Sequence, residues 1–269
     1  MIRKDNLLQQ KEYLGPTRVP VLLSYVPDGR PKPLVLLAPG GGNQGIDNCK
    51  ELMAQTLPLE DEDLFRVYVD LPLHGERAAP DLGKRFHTDQ VGLFLHPVVV
   101  GMAREFIQLI DILAERPDVD SERVGVGGWS LGGQASLIAA AADRRIRTVV
   151  AMCIPCDADM GPRARVPDDP AHDVLKTELD VVAVADFLSH AAVLLIHGTK
   201  DAWVTVESSR ILNRALRPYY ATYPERLRLV EYPNMAHSIS KPEGEDCARE
   251  QLLLKEEVAG WFRRFLHED

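Results

Sequence analysis

Long apolar runs are missing from this chain. Nowhere do about eighteen apolar residues follow one another, so no membrane-spanning helix is expected. Basic charge is scarce as well: Lys and Arg number 31 against 40 Asp and Glu, a formal net charge of −9. Without a basic cluster there is no electrostatic footprint for nucleic acid, and an anionic membrane would repel the surface. The opening segment MIRKDNLLQQKEYL has charge but no apolar stretch, so no secretory signal is expected and a cytoplasmic location is. Four cysteines in 269 residues are too few for a disulfide framework. Cys153 and Cys156 form a C-x-x-C, but no second pair at metal-ligand spacing accompanies them. They also follow an apolar run, so they read as small core residues.

What is present is alternation. Strand patterns are expected near Glu12–Leu14, Val19–Val26, Leu34–Ala38, Phe65–Val69, Arg123–Gly127, Thr148–Ile154, Ala192–His197 and Leu227–Tyr232. Helical patterns fall between them: Ile46–Thr56, a segment with Phe106, Leu109, Ile110 and Leu113 on one face, Leu131–Ala142, Val174–Leu188, Val206–Leu216 and Arg249–Leu266. Residues 76–96 show no clean period and read as loop with short helix. Strands alternating with helices imply a mostly parallel sheet covered on both faces. No internal repeat or linker divides the chain, so residues 1–269 read as one α/β domain.

The chemistry centres on Gly128-Trp129-Ser130-Leu131-Gly132. This G-x-S-x-G lies between an expected strand and an expected helix, where a tight turn lifts the serine above the carboxyl edge of the sheet. A serine hydroxyl needs a base to take its proton. Of eight histidines, His237 lies past the last strand, at that same edge. His197 and His74 read as structural, the first ending a strand and the second holding a turn. The imidazole in turn needs a carboxylate to fix its tautomer, and Asp201, just past the strand Ala192–His197, meets that need. Ser130, Asp201 and His237 thus follow the order Ser…Asp…His, which differs from both protease orders. The N–H of Leu131 is one expected oxyanion donor; Gly41, with Gly42 second, supplies the other from the glycine run after Leu34–Ala38. That run lacks the G-K-[S/T] ending of a phosphate loop.

These segments resemble the α/β-hydrolase superfamily, in particular its dienelactone-hydrolase-like and prolyl-oligopeptidase-like serine esterases. The matching stretches are Leu34–Gly42, Val69–Gly75, Arg116–Gly133, Val193–Asp201 and Tyr232–His237. The resemblance implies an eight-stranded, mostly parallel sheet with a small cap and a triad of Ser130, Asp201 and His237. Pro39 departs from the esterases with histidine before the glycines, and Ser130 departs from dienelactone hydrolases proper, whose nucleophile is cysteine. The expected activity is hydrolysis of a small carboxylic ester through an acyl-Ser130 intermediate, with no metal or organic cofactor and no nucleic-acid or membrane partner. A peptide or amide hydrolase or an acyltransferase on the same triad is the alternative; the absence of a propeller domain weighs against peptides. A non-catalytic binding protein is disfavoured because all three triad members are present. The stretch between Ile154 and Ala192 is short and polar (Asp157, Asp159, Arg163, Arg165, Asp168, Asp169), so no large apolar lid is expected. Phe86, Leu93, Phe94 and Leu95 are expected to form a modest acyl pocket, narrowed by Trp129 and Trp203 and lined by Gly42.

Overall fold

Runs such as Leu34-Val35-Leu36-Leu37 place apolar side chains on both sides of a strand, and such a strand is stable only with both faces covered. The computed structural model describes residues 6–42, 59, 61–85, 91–156, 169–237 and 244–267. The described residues form eight strands: β1 (Leu8–Leu14), β2 (Val19–Tyr25), β3 (Lys32–Ala38), β4 (Phe65–Val69), β5 (Val119–Trp129), β6 (Ile146–Met152), β7 (Ala192–Gly198) and β8 (Leu227–Tyr232). They form one sheet in the order β1-β2-β4-β3-β5-β6-β7-β8. β2 pairs antiparallel with β1 and β4, and every other pairing is parallel. This is the α/β-hydrolase fold.

Helices α1 (Val91–Leu113), α2 (Leu131–Ala142), α3 (Asp173–Leu179), α4 (Val206–Leu216) and α5 (Glu245–His267) cover the sheet. Alternate residues of one strand feed two cores. Leu34, Leu36, Val126 and Leu195 pack with Phe106 and Ile110 of α1 and Ala135 of α2. Val35, Leu37, Met152 and Ile196 pack with Val258, Trp261 and Phe262 of α5. Each large side chain so buried contributes about 1.5–3 kcal/mol. The chain crosses from β4 over β3 to β5, so the strand order reverses direction between β3 and β5. A crevice opens at the carboxyl ends of strands at such a switch point.

Several expectations change. α1 begins at Val91, although Pro97 lies inside it without an N–H to donate. Phe94 and Leu95 are thereby turned into the core instead of lining an open pocket. Gly92–Leu113 is long and apolar enough to cross a membrane by length and composition, contrary to expectation. In this fold Phe106, Leu109, Ile110 and Leu113 of that helix are fully buried in the domain core. The helix expected over Val174–Leu188 is two pieces. Asp180 ends α3 and its Oδ1 accepts the N–H groups of Val182 and Ala183, starting a 3₁₀ segment at Val182–Leu188. The expected helix at Ile46–Thr56, Phe86, and the polar residues Asp157, Asp159, Arg163, Arg165 and Asp168 lie outside the described residues.

Candidate active site

Between β5 and α2 the chain turns on one residue. Ser130 has φ 54° and ψ −118°, a conformation that costs a non-glycine residue about 1–3 kcal/mol. Its surroundings hold it there: the Ser130 N–H donates to Met152 O at 2.7 Å, and the Gly132 N–H donates to Pro39 O at 3.1 Å. No side chain fits at the flanking glycines. A Cβ on Gly132 would lie 2.3 Å from Ala38 O, and one on Gly128 would lie 2.4 Å from the Gly132 carbonyl carbon. The motif therefore records how closely α2 must start against β3 and β5. As the first N–H of a helix, that of Leu131 has no intrahelical acceptor.

The other two candidates come from loops that are laced together. After β7, the Thr199 N–H donates to Tyr232 O at 2.9 Å and the Lys200 N–H to Met235 O at 3.0 Å. Lys200 Nζ also donates to Asn234 Oδ1 at 3.1 Å. Gly198 permits this approach, since a Cβ there would meet Met235 O at 2.2 Å. Held in this way, His237 Nδ1 and Asp201 Oδ2 lie 2.6 Å apart. The tautomer follows from chemistry: a carboxylate only accepts, so Nδ1 carries the proton and Nε2 is left with its lone pair. His237 reaches the serine elbow through Trp129. The indole N–H donates to the His237 carbonyl at 2.8 Å, and the two ring centres are 5.1 Å apart.

Asp201 is buried and densely solvated by protein. Its Oδ1 accepts the backbone N–H groups of Trp203 and Val204 at 2.8 and 2.9 Å. Burial alone would push the carboxyl up, but hydrogen bonds from His197 and His237, helped by the Val204 N–H, outweigh it and hold the group well below the usual carboxylate range. His197 was expected to be structural, yet it touches the acid: its Nε2 lies 3.3 Å from Asp201 Oδ2. Cys153 is likewise more than a core residue. Its sulfur, an Asp201 oxygen and a His237 ring nitrogen lie within 4.8 Å of one another. Such a trio offers metal-ligand types, but burial and the adjacent Asp201 charge push the thiol up and keep it protonated, as a hydrogen-bond donor.

The remaining expected residues divide. Trp203 is 56% exposed and stands at the rim. Trp129 is half-buried and braces His237. In the glycine run it is Gly40 that closes on the elbow, where a Cβ would lie 2.8 Å from the Trp129 ring and 3.1 Å from Ser130 Cβ. Gly41 and Gly42 follow it in a half-exposed turn. His74 holds its turn as expected, with Nδ1 2.8 Å from Pro72 O.

Similarity to solved structures is extensive in shape and low in sequence. An acylaminoacyl peptidase from Pyrococcus horikoshii superposes with a TM-score of 0.75 at 14% identity, over 98% of this chain but 42% of that one. A putative dienelactone hydrolase from Klebsiella pneumoniae gives 0.69 at 17% identity, over 96% and 99% of the two chains. TT1662 from Thermus thermophilus gives 0.69 at 22%, over 94% and 98%. Among curated proteins none matches significantly. The model of the prolyl oligopeptidase family matches residues 100–266, more than half of the chain and all three candidate residues. With the sheet order and the Ser…Asp…His sequence already in place, the chain belongs to the prolyl oligopeptidase family of the α/β-hydrolase superfamily.

Proposed function

We propose that this serine-hydrolase family member cleaves carboxylic esters of small, short-acyl substrates. The observation that carries the reading is the strained Ser130 at the head of α2, bridged by Trp129 to a His237 whose Nδ1 is engaged by Asp201. Ser130 Oγ attacks the ester carbonyl and His237 Nε2 takes its proton. The negative charge that develops on the carbonyl oxygen is met by the Leu131 N–H, at the positive end of α2, and by the backbone of the glycine run, with Gly41 as second donor. The C–O bond then breaks, and the leaving alcohol receives the proton from His237. Water, deprotonated by the same imidazole, releases the acid from acyl-Ser130.

The short-acyl reading draws on what crowds the elbow. The Trp129 ring and the Gly40 backbone close one side of the elbow. In the described part of the crossover between β6 and β7, α3 is tied down onto the body of the domain. Gln134 of α2 donates to Leu179 O at 2.8 Å, and His96 of α1 meets Glu178 at 2.6 Å. A second reading, hydrolysis of a peptide or amide, draws on the family match and on the Pyrococcus peptidase.

A fluorophosphonate probe should label Ser130 and spare Ser130→Ala. In a p-nitrophenyl ester series from acetyl to palmitoyl, kcat/KM should be greatest among the short acyl groups and exceed that of the matching p-nitroanilides. A maximum at decanoyl or longer, or a jump above the micelle threshold, overturns the short-acyl reading. Anilides cleaved faster than esters would favour the peptidase.

A further inference from the structure

Two imidazoles, not one, sit on the Asp201 carboxylate. His197 is fully buried at the end of β7. Its Nε2 faces two acceptors, the Val204 carbonyl at 2.9 Å and Asp201 Oδ2 at 3.3 Å. Neither can donate, so the proton is on Nε2 and is shared between them. On the other side Nδ1 lies 2.7 Å from Ser209 Oγ on α4, and the hydroxyl supplies the proton for that bond. Both ring nitrogens are therefore satisfied in the neutral Nε2–H form. The resulting chain, Ser209 to His197 to Asp201, repeats the connectivity of a triad, but Ser209 is fully buried.

We infer that His197 is a positioning residue for the reaction, acting through Asp201 to fix the place and the proton affinity of His237. The inference rests on the reading of Asp201 and His237 as acid and base. Its physical basis is competition for one oxygen. Asp201 Oδ2 accepts from His237 at 2.6 Å and from His197 at 3.3 Å. Each donor draws off some of the negative charge felt by the other. A neutral donor moderates the carboxylate without placing a second cation beside the imidazolium that forms during turnover. Lysine there would cancel the charge that His237 needs, and an aliphatic side chain would leave both Oδ2 and the Val204 carbonyl short of a partner in a buried site. The other titratable or charged groups around the pair are the Cys153 thiol at the end of β6, Glu231 on β8 paired with Arg210, Lys200 on Asn234, and Glu250 of α5. They are constant in the comparison below.

Two amides separate the two ends of the ring. The amide nitrogen of His197→Gln falls near Nε2 and keeps a donor toward Asp201 and Val204. That of His197→Asn falls near Nδ1 and keeps only the Ser209 side. We expect His197→Asn to lower kcat by about tenfold with KM little changed, and to move the acid limb of kcat/KM upward by about half a pH unit, because the less satisfied carboxylate holds the imidazolium more firmly. His197→Gln should stay within about threefold of the parent kcat with the limb in place. The NMR titration of the His237 ring should move with the limb in His197→Asn. That titration is independent of whether Ser130 reacts, so absence of fluorophosphonate labelling would overturn the triad reading, whereas an unmoved titration in His197→Asn overturns this one. Equal limbs in Asn and Gln, whatever their melting temperatures, overturn it too. Should neither amide fold, Ser209→Ala releases Nδ1 alone and should move the limb in the same direction, and an unmoved limb overturns the inference.

Discussion

Glu250 of α5 grips Asn234. Its two oxygens accept the Asn234 backbone N–H at 3.1 and 2.9 Å, and Oε1 accepts the side-chain amide at 2.8 Å. His237 is three residues further on, so the last helix reaches the candidate base through this one acid. Glu250→Gln keeps the volume but presents an amide where an acceptor is needed. It should lower kcat by about threefold to tenfold with little change in KM, through misplacement of the imidazole. Steady-state kinetics together with a melting curve check this: a lower melting temperature with unchanged kcat would mean that the lacing by Thr199 and Lys200 is enough.

Ser130 carries both the hydroxyl and the strained backbone, and two substitutions separate them. Ser130→Ala removes the hydroxyl and keeps the strain, whereas Ser130→Gly removes both. Each should reduce kcat by about four orders of magnitude or more. The glycine variant should melt higher than the alanine variant, by about 1 kcal/mol of stability, since glycine adopts positive φ without the Cβ penalty. An alanine variant keeping a tenth of the activity, roughly, would remove Ser130 from the mechanism.

With His237 as the base, kcat/KM should rise with pH along one acid limb of slope about one. Asp201 does not supply that limb, because its carboxyl is held well below the carboxylate range. Rates measured between about pH 5 and 8 that stay flat would argue against a histidine base, provided chemistry limits turnover.

Asp70 gives a stability prediction of the opposite sign to most carboxylates. It is fully buried after β4, and neither oxygen has a well-formed hydrogen bond among the described residues. Burial pushes its carboxyl up from 3.8 to about 6, with the Arg77 charge opposing. Between those values the folded protein holds the proton and the unfolded chain has released it, so stability falls as pH rises through this window. The full effect is roughly 3 kcal/mol, complete above the folded value. Asp70→Asn should flatten the fall in chemical-denaturation midpoints between about pH 4 and 7. An unchanged slope would show that Asp70 is not the group responsible.

Legibility in the sequence followed the range of the interactions. The turn serine and the helices Leu131–Ala142 and Val206–Leu216 have the bounds that apolar spacing and turn residues imply, because those signals are local. The placing of the three candidate residues past strand ends was legible too, since each follows an apolar strand by one to five residues. What a strand end touches was not. Cys153 follows β6, and only the pairing of β6 with β7 brings it to Asp201; His197 reaches the same acid through the turn that follows β7. The close approach of Gly40 to the Trp129 ring was not legible either, because it depends on β3 lying beside β5. Likewise residues 91–96 read as part of a loop without clean period, but apolar burial on both sides of Pro97 carries α1 through them.

The lacing of the two loops also bears on when activity appears during folding. β5, with Ser130 at its end, pairs in the middle of the sheet with β3 and β6. The candidate acid and base arrive only with β7, β8 and the turn that α5 clamps through Glu250. A chain made from its N-terminus thus has the elbow in hand before any candidate base exists to take a proton, but β3, β5 and β6 keep one face uncovered until α5 docks. On the proposed mechanism, catalytic competence and the completed core are acquired together. On refolding, recovery of turnover should therefore coincide with the docking of α5.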